Sequence, residues 1–440
     1  MSWAEKEFAT LALGDKRRNN RVVTIVESFA DNINASIPGS SESWAETQAT
    51  YRLLANPEVS WDKLLEPHAQ QTLKRCGERP VVLCLQDTTE LDFSTQQIHG
   101  MGRLNYDARH GMYLHQTLCV TAERVALGVL DSWMWAREPR DVPMLKESSR
   151  WIEGYERVAE CAQSLPQTQL IYVADRESDI GALFLRAQAL NFAAEILIRA
   201  KHNRRVKGET DKLWEGFTPE HVLGEMTFDM PQRDGRKGRQ VCQTISMRRC
   251  EVELGPKKEP VEMTVILAQE TQPPEGSMAV SWKLLSSIEV GDLADAQALI
   301  NHYRARWEIE QYFHVLKNGC KVESLQLSTI ERIENALTLY SVVAWRVLRL
   351  MRQSRDEAEA DCGIFYSDEE WQCAYLLTKT ALPKERPTLR EVTRTVAKLG
   401  GFLGRKSDGE PGVKALWIGL QRLVDAVAGM RLMREQMSCV

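Results

Sequence analysis

A candidate catalytic group lies in one late segment of the sequence, where Tyr303, Arg306, Glu310 and Lys317 recur at helical spacing. At about 100° per residue, these four side chains fall in one narrow stripe of a helix over 303–317. Apolar residues fall on the opposite side, which is the packing face of such a helix. Arginine binds phosphate oxygens through paired hydrogen bonds, lysine acts as a point charge, and a carboxylate binds divalent cations. The stripe therefore suits phosphate chemistry, although a solvated charged face has the same pattern.

Two aspartates stand directly after apolar runs that are typical of buried strands. Asp87 follows the run 81–86, and Asp175 follows the run 170–174. Right-handed crossovers put the second strand beside the first, so we expect the two carboxylates to be neighbours at the carboxyl edge of a sheet. Glu310 supplies a third carboxylate. Magnesium prefers such oxygen ligands, and two ions can activate a water and stabilise the leaving oxygen in phosphoryl displacement.

The pattern around these acids predicts an α/β core of the ribonuclease-H-like class. Strands are expected at 81–87, 113–122, 125–135, 170–175 and 193–199, and helices at about 147–163 and 178–190. Residues 201–290 contain β-rich stretches and read as an insertion. Two long helices are expected after it, at about 294–317 and 331–353.

Helical segments flank this core on both sides. The sequence predicts an N-terminal helical domain over 1–62, a catalytic domain over 63–353 with the β insertion at about 201–290, and a C-terminal helical domain over 354–440. Within the last domain, the acidic and polar residues 354–369 read as a linker.

Composition sets outer limits on the function. The 440 residues are 43% hydrophobic and 27% charged, which is ordinary globular composition and argues against a disordered or fibrous chain. No apolar run reaches the ~18 residues that would span a bilayer, and the start does not read as a signal peptide. A cytoplasmic protein is therefore expected. Ten cysteines without a C-x-x-C pair indicate buried thiols.

The charge is distributed unevenly along the chain. The protein carries 56 basic and 61 acidic residues, for a net charge of −5. Residues 199–249, however, hold twelve Lys or Arg against seven Asp or Glu. Such a basic region on an acidic protein can still bind phosphate, because neutralising charges act within about a Debye length.

Taken together, the motifs resemble the IS-four family of bacterial DDE transposases. The spacing of Tyr303, Arg306, Glu310 and Lys317 is similar to the family's Tyr-Arg-Glu-Lys signature. The segments Asp87-Thr88-Thr89 and Asp175-Arg176-Glu177-Ser178-Asp179-Ile180 resemble its first and second acidic motifs. Similarity extends to Ala12-Leu13-Gly14-Asp15 near the start and Ala415-Leu416-Trp417 near the end. Glu308 departs from the family pattern beside the signature.

The resemblance implies cut-and-paste transposition of DNA. Asp87, Asp175 and Glu310 would hold two Mg²⁺ or Mn²⁺ ions, while Tyr303, Arg306 and Lys317 contact DNA phosphates. The partners implied are double-stranded transposon-end DNA, target DNA and a second copy of the chain in a homodimer, with no membrane. The localisation implied is cytoplasmic, at the nucleoid when DNA is bound.

Further DNA contacts are expected outside the signature helix. Trp282 matches the family's tryptophan on which a flipped base stacks, and an aromatic platform suits an extruded base; a core tryptophan is the alternative. Two basic groups are expected to contact DNA. The charge of the first suits the DNA backbone, with solvated loop charges as the alternative, and the second matches the family's amino-terminal end-recognition domain, with a basic helix start that has no ligand as the alternative. Their members are Arg199, Lys201, His202, Arg204 and Arg205 after the core strand, and Lys16, Arg17, Arg18 and Arg21 near the start.

Two other functions fit parts of the pattern. A DNA-binding regulator of transposition would dimerise on DNA without cutting it. A metal-dependent nuclease of the ribonuclease-H-like class would cut DNA without joining it to a target. The intact acidic triad argues against the regulator, and only a test for joined products separates the nuclease.

Overall fold

The computed structural model describes residues 2–106, 108–138, 146–230 and 238–438. The strands in chain order are β1 Val81–Asp92, β2 Gly102–Arg103, β3 His110–Thr121, β4 Ala126–Trp135, β5 Gln169–Ala174, β6 Glu195–Arg199, β7 Val222–Met230, β8 Arg239–Leu254, β9 Glu259–Glu270 and β10 Ser281–Ser286. The α-helices are α1 Trp3–Glu7, α2 Lys16–Asp31, α3 Ile37–Ser40, α4 Trp44–Leu54, α5 Trp61–Gly77, α6 Ser149–Ser164, α7 Gly181–Ala189, α8 Leu293–Ala305, α9 Trp307–His314, α10 Ile330–Asp356, α11 Asp368–Leu377, α12 Leu389–Leu399 and α13 Val413–Ser438.

The chain divides into two compact units. The first unit comprises Met1–Arg75, Thr88–Met144 and Glu308–Val440, and the second comprises Cys76–Asp87 and Leu145–Trp307. Strands and helices share one mixed α/β architecture with flanking helical segments, as the sequence predicts.

The second unit contains the parallel strands of the predicted core. Its strand order is β1-β5-β6-β10-β9-β8-β7, and β1, β5 and β6 run parallel. The side chains of β5 and β6 are almost all buried, which explains why both strands are continuous apolar runs in the sequence. Helix α6 lies directly on β1 at Gly154, where a Cβ atom would collide with the side chain of Gln86. This close approach packs α6 against the side chain that precedes Asp87.

The β insertion continues the sheet of the second unit in antiparallel fashion. Strands β8 and β9 form a long hairpin, and β10 joins them to β6. Strand β7 is last in the strand order and has an irregularity between Val222 and Gly224. Its exposed side chains include Glu225 and Asp229, and the carbonyl of Glu225 accepts a hydrogen bond from Gln297 Nε2 at 3.0 Å.

The first unit is built around β3 and helix α10. Strand β3 lies between β2 and the continuation of β1, and β4 pairs with β3. Helix α10 packs on β4, where the indole of Trp345 donates to the carbonyl of Ala126 at 3.0 Å. On α2, the ring of Phe29 stacks on Tyr340 of α10 with centroids 4.2 Å apart. These contacts tie the N-terminal helices to the long helix.

Two predictions about the helices are wrong in detail. The single helix expected at 294–317 is α8, then α9, then a π-helical turn at Val315–Gly319. The amide of Arg306 bonds three residues back, to Tyr303, and the amide of Cys320 bonds five residues back, to Val315. The rotation per residue therefore changes twice within the segment. The linker expected at 354–369 is shorter, because α10 continues to Asp356 and α11 begins at Asp368.

Burial and hydropathy agree with two other expectations. Cys84, Cys119 and Cys373 are buried among apolar neighbours. Over the described ranges, no helix has both the length and the apolar character needed to cross a membrane.

Candidate active site

Asp87 and Asp175 are neighbours at one edge of the second unit's sheet. The parallel pairing of β1 and β5 sets Gln86 opposite Ala174, and the two aspartates are the next residues of these strands. Neighbouring strands lie about 4.8 Å apart, so the two residues lie close together where the parallel pairing of β1 with β5 ends. The strand expected at 81–87 is longer than predicted, because β1 continues to Asp92. The predicted pairing of the two strands is confirmed, and convergence of the two carboxylates on a metal stays a prediction.

Arg306 is paired with the first aspartate. Its Nη1 donates to Oδ2 of Asp87 at 2.8 Å, and both side chains are half-buried. The sequence predicts Arg306 as a phosphate contact, whereas here its guanidinium binds a carboxylate. Asp87 therefore already attracts positive charge at the position where the sequence predicts a cation.

Asp175 caps the short turn that follows its strand. Its Oδ1 accepts the amide of Glu177 at 2.8 Å, and its carbonyl accepts Ser178 Oγ at 2.8 Å. Burial and the neighbouring Asp175 carboxylate raise the pKa of Glu177. The second acidic motif is thus a hydrogen-bonded turn that holds one carboxylate at the sheet edge.

Tyr303 is buried in the second unit, with 5% of its surface exposed. Burial raises the pKa of its phenol, and the guanidinium groups of Arg306 and Arg199 offset part of that rise. The four polar side chains predicted to share one stripe are therefore not all exposed, because Tyr303 packs inward. Arg199 also donates from Nη2 to the carbonyl of Ser281 at 3.2 Å.

Trp282 lies in an aromatic group of the second unit. Its ring stacks on Phe228 with centroids 5.3 Å apart, and the edge of Tyr303 approaches it at 6.4 Å. The guanidinium of Arg304 lies over Phe228 at 4.1 Å. Trp282 itself stays half-buried. Both packing and base stacking suit such a ring, since one of its faces is covered by Phe228.

The basic segment after β6 is exposed at its tip. The side chains of Lys201 and His202 are exposed, and their two amides donate to one buried carboxylate oxygen of Asp179. Arg205 is exposed as well, whereas Arg204 is mostly buried. The segment thus exposes the cations Lys201 and Arg205, and Asp179 anchors its backbone at 201 and 202.

Glu310 and Lys317 belong to the first unit. Glu310 is half-buried on α9, and Lys317 lies in the π-helical turn. The ammonium of Lys317 donates to the carbonyl of Glu90 at 2.8 Å and pairs with Glu323 at 3.1 Å. Glu323 in turn accepts the amide of Asp92 at 2.9 Å. Lys317 is therefore fixed by contacts with the end of β1.

The donor chemistry at the edge formed by Asp87 and Asp175 suits a hard divalent cation. Two carboxylates at neighbouring strand ends supply the oxygen ligands that Mg²⁺ and Mn²⁺ prefer. In the parts of the chain that the structure describes, no group of three His, Cys, Asp or Glu side chains is arranged to hold a metal ion. The full set of three acids thus stays a prediction.

Three family models match successive parts of the sequence. A transposase DNA-binding model matches residues 1–59, a transposase DDE-domain model matches 153–345, and the model of the transposase Tn5 dimerisation domain matches 342–439. Together they span most of the chain in the order in which a transposase carries them.

The chain belongs to the DDE transposases. A solved structure, the cryo-EM structure of the piggyBac transposase synaptic complex with hairpin DNA, is also similar to it. The identity is 10% and the TM-score 0.39, over 80% of this chain and 72% of that one.

The N-terminal basic group of this transposase begins helix α2, inside the segment matched by the DNA-binding model. Lys16 and Arg17 are exposed, and Arg17 pairs with the N-cap residue Asp15 at 3.2 Å. Arg18 donates to the carbonyl of Leu13 at 3.1 Å. Arg21 is half-buried on the same helix. These contacts leave a cationic start to α2, which is suitable for phosphate.

Two residues that hold proposed DNA contacts in place are not predicted from the sequence. Asp179 holds the amides of Lys201 and His202, and Glu323 holds Lys317. Asp179 lies within the second acidic motif, so its presence there was a usable signal. Glu323 has no comparable signal, because its contact with Asp92 joins residues far apart in the sequence.

Proposed function

We propose that this transposase catalyses cut-and-paste transposition through phosphoryl transfer. The proposal is supported by the position of Asp87 and Asp175, which both directly follow the parallel pairing of β1 with β5 in a chain matched by the DDE-domain model. Open α/β sheets commonly bear their chemistry at this edge. In this proposal, residues 1–62 recognise transposon ends, 63–353 cut and join DNA with an insertion at about 201–290, and 354–440 dimerise.

Asp87, Asp175 and Glu310 are the proposed ligands of two Mg²⁺ or Mn²⁺ ions. When bound, such a pair activates a hydroxyl nucleophile and stabilises the leaving oxygen of an in-line displacement. Asp87 and Asp175 contribute negative charge at the sheet edge. Arg306 already neutralises Asp87, so this guanidinium must share or release the carboxylate when a cation binds. Arg306 is also the proposed contact for a DNA phosphate, because a guanidinium binds phosphate oxygens through paired hydrogen bonds.

Each proposed step exchanges one bond to phosphorus for another. In the first, a water oxygen attacks the phosphorus at the transposon end, the bond from that phosphorus to the 3′ oxygen breaks, and the 3′ oxygen takes up a proton. The 3′ hydroxyl then attacks a phosphorus of the opposite strand and closes a hairpin, while the bond from that phosphorus to the 3′ oxygen of the flanking DNA breaks and that oxygen takes up a proton. A second water attacks the same phosphorus, the bond to the transposon's 3′ oxygen breaks, and the 3′ hydroxyl is regenerated. Finally the 3′ hydroxyl attacks a phosphorus of target DNA and displaces the target's 3′ oxygen.

A second set of residues is proposed to hold DNA in a homodimeric complex. Phosphate contacts position DNA without reading its sequence, and they come mainly from basic and hydroxyl side chains. The proposed contacts are Tyr303, Arg306, Lys317, Arg199, Lys201, His202, Lys16, Arg17, Arg18 and Arg21. The exposure of Lys201, His202, Lys16 and Arg17 supports their part in this set.

The deciding experiment is a strand-cleavage and joining assay. The full chain is incubated with Mg²⁺, labelled DNA that carries the inverted repeats flanking its own gene, and a target plasmid. A transposase gives nicked ends, hairpins and joined target products. End binding without cutting would favour a regulator, and cutting without joined products would favour a nuclease.

Trp282→Ala is expected to slow hairpin formation about tenfold while changing the first nick little. Stacking of one base on an aromatic ring contributes about 1–3 kcal/mol, and the hairpin step is the one that requires an extruded base. Single-turnover rates of both steps on labelled end DNA provide the measurement. Trp214→Ala is the matched control, because Trp214 is a half-buried tryptophan of the same unit that stacks on Phe217. Equal slowing of the two steps by Trp282→Ala would argue against stacking there.

End binding is expected to weaken steeply with salt. Each neutralised phosphate contributes a slope of about −0.9 to the plot of log K against log salt, so six contacts cost roughly 10³-fold between about 50 and 200 mM. Equilibrium binding to labelled end DNA at several salt concentrations gives the slope. A flat salt profile would remove the argument from phosphate contacts.

A further inference from the structure

One buried carboxylate holds the exposed basic tip that follows β6. Asp179 has 0% of its side-chain surface exposed. Its Oδ2 accepts the amide of Lys201 at 2.6 Å and the amide of His202 at 2.8 Å. Two successive amides on one oxygen fix the backbone at this point, because the acceptor is charged and shielded from water.

Arg204 neutralises Asp179 from the other side. Its Nη1 pairs with Oδ1 of Asp179 at 2.5 Å, and its Nη2 donates to the carbonyl of the same residue at 3.0 Å. The guanidinium also lies over the ring of Phe184 at 5.4 Å. Arg204 therefore has a structural role in the interior, whereas Lys201 and His202 are exposed and can contact DNA.

The same carboxylate belongs to the second acidic motif. Asp179 follows the short turn Arg176–Ser178 that Asp175 caps, and its amide bonds to the carbonyl of Arg176. Three residues thus separate the proposed metal ligand Asp175 from Asp179, the anchor of the basic tip. A displacement of Asp179 would shift both.

We propose that Asp179 is a positioning residue, which sets Lys201 and His202 against the phosphates of transposon-end DNA and couples their position to Asp175. The inference rests on the proposed function. Because both side chains are exposed while their backbone is anchored, the Lys201 ammonium and the His202 imidazole present a preformed pair of polar groups. A preformed arrangement loses less conformational entropy when it binds.

The test compares salt slopes of end binding for Asp179→Asn, Lys201→Ala and the double variant. Asparagine has nearly the same shape but no charge, so it weakens both amide bonds and the pair with Arg204. Lys201→Ala should reduce the magnitude of the negative slope of log K against log salt by about 0.9, the value of one phosphate. Asp179→Asn should lower it at least as much. The double variant should fall no further than Asp179→Asn alone, because the two changes affect the same contact.

Glu270→Gln is the matched control for a purely structural effect. Glu270 is buried, pairs with Arg239 and accepts the amide of Val280 at 2.8 Å, so it has the same chemistry in the same unit. Both variants should lower the melting temperature. Glu270→Gln should leave the salt slope at its wild-type value, whereas Asp179→Asn should not.

The outcomes separate this inference from the proposed function. A wild-type slope for Asp179→Asn, or a double variant whose loss is the sum of the single losses, overturns the positioning role even when the wild-type protein cuts and joins DNA. Failure of the wild-type protein to bind or cut its ends overturns the function instead. If Asp179→Asn does not fold, Asp179→Glu keeps the charge but displaces the acceptor by one methylene. The same fall in slope is then expected, and an unchanged slope contradicts the role.

Discussion

Replacement of Asp87 or Asp175 by asparagine, or of Glu310 by glutamine, is expected to lower DNA-strand cleavage about 10³-fold or more while sparing end binding. Metal-mediated charge stabilisation contributes several kcal/mol to a phosphoryl-transfer barrier, and each 1.36 kcal/mol is about a tenfold change in rate. Loss of one carboxylate ligand removes much of that stabilisation. Contacts with DNA phosphates lie elsewhere in the proposal, so affinity for the ends should stay close to wild type.

Asparagine is the sharper substitution because it preserves the local hydrogen bonds. An amide oxygen at 175 still accepts the amide of Glu177, and one at 87 still accepts from Arg306. Loss of activity then reports on metal binding more than on folding. Asp92→Asn is the matched control, since Asp92 lies at the end of the same strand and accepts from Ser94 at 2.9 Å.

Labelled end DNA gives both readouts for these variants. Cleavage is followed with Mg²⁺ and with Mn²⁺, and binding is followed by mobility shift without cutting. Calorimetric titration with Mn²⁺ adds a test that does not depend on activity. Cleavage at the wild-type rate by all three variants would refute the metal-site proposal.

Arg352→Met is expected to reduce the free energy of unfolding by about 3–5 kcal/mol. Glu308 has 0% of its side-chain surface exposed. Arg352 donates to both of its carboxylate oxygens, from Nε to Oε2 at 2.7 Å and from Nη2 to Oε1. Removal of Arg352 leaves the buried Glu308 carboxylate without its hydrogen-bonded partner and with only the Coulombic attraction of Arg124 and Arg355. Urea unfolding followed by circular dichroism measures the loss.

Companion variants distinguish the charge from the packing. Glu308→Gln keeps a hydrogen-bond acceptor for Arg352 and should be milder. The double replacement of Glu308 and Arg352 by methionine should regain part of the loss, because the buried carboxylate is removed together with its partner. Arg124 and Arg355 still lose their attraction to Glu308 in this variant. In the exposed pair of Lys207 and Glu251, Glu251→Gln should change stability by under about 1 kcal/mol. An Arg352→Met effect as small as that of Glu251→Gln would contradict this account.

The effect of Arg352→Met should also depend on pH. Burial raises the pKa of Glu308, and Arg352 offsets part of that rise. Without Arg352 the folded-state pKa is higher still. A carboxyl whose folded pKa exceeds its unfolded value of 4.5 costs stability progressively as pH rises through that window. Arg352→Met should therefore be less harmful at mildly acidic pH than at alkaline pH.

The sequence predicts well those features that depend on neighbours along the chain. Two apolar runs, each closed by an aspartate, were enough to predict that Asp87 and Asp175 meet at one sheet edge. Parallel strands are buried on both faces, so their hydrophobic pattern is continuous and easily read. The β-rich stretches within residues 201–290 likewise indicate the β insertion.

Features that depend on distant partners could not be predicted in this way. A rotation of 100° per residue holds only in an uninterrupted α-helix, and the π-helical turn at Val315–Gly319 breaks that assumption. Glu308 reads as a departure beside the signature, yet it is buried against an arginine 44 residues later. Asp179 likewise meets amides 22 and 23 residues away. No local pattern encodes such pairings.

The outermost strand of the β insertion bears on how this protein behaves at high concentration. An open strand edge is a template for unwanted pairing with other molecules. Strand β7 is a poor template for three reasons. It has an irregularity between Val222 and Gly224, it carries acidic side chains at 225 and 229, and the carbonyl of Glu225 already accepts a hydrogen bond from Gln297. Edge-to-edge association into fibrillar aggregates is therefore disfavoured here, and self-assembly is left to surfaces that recognise a partner through side chains.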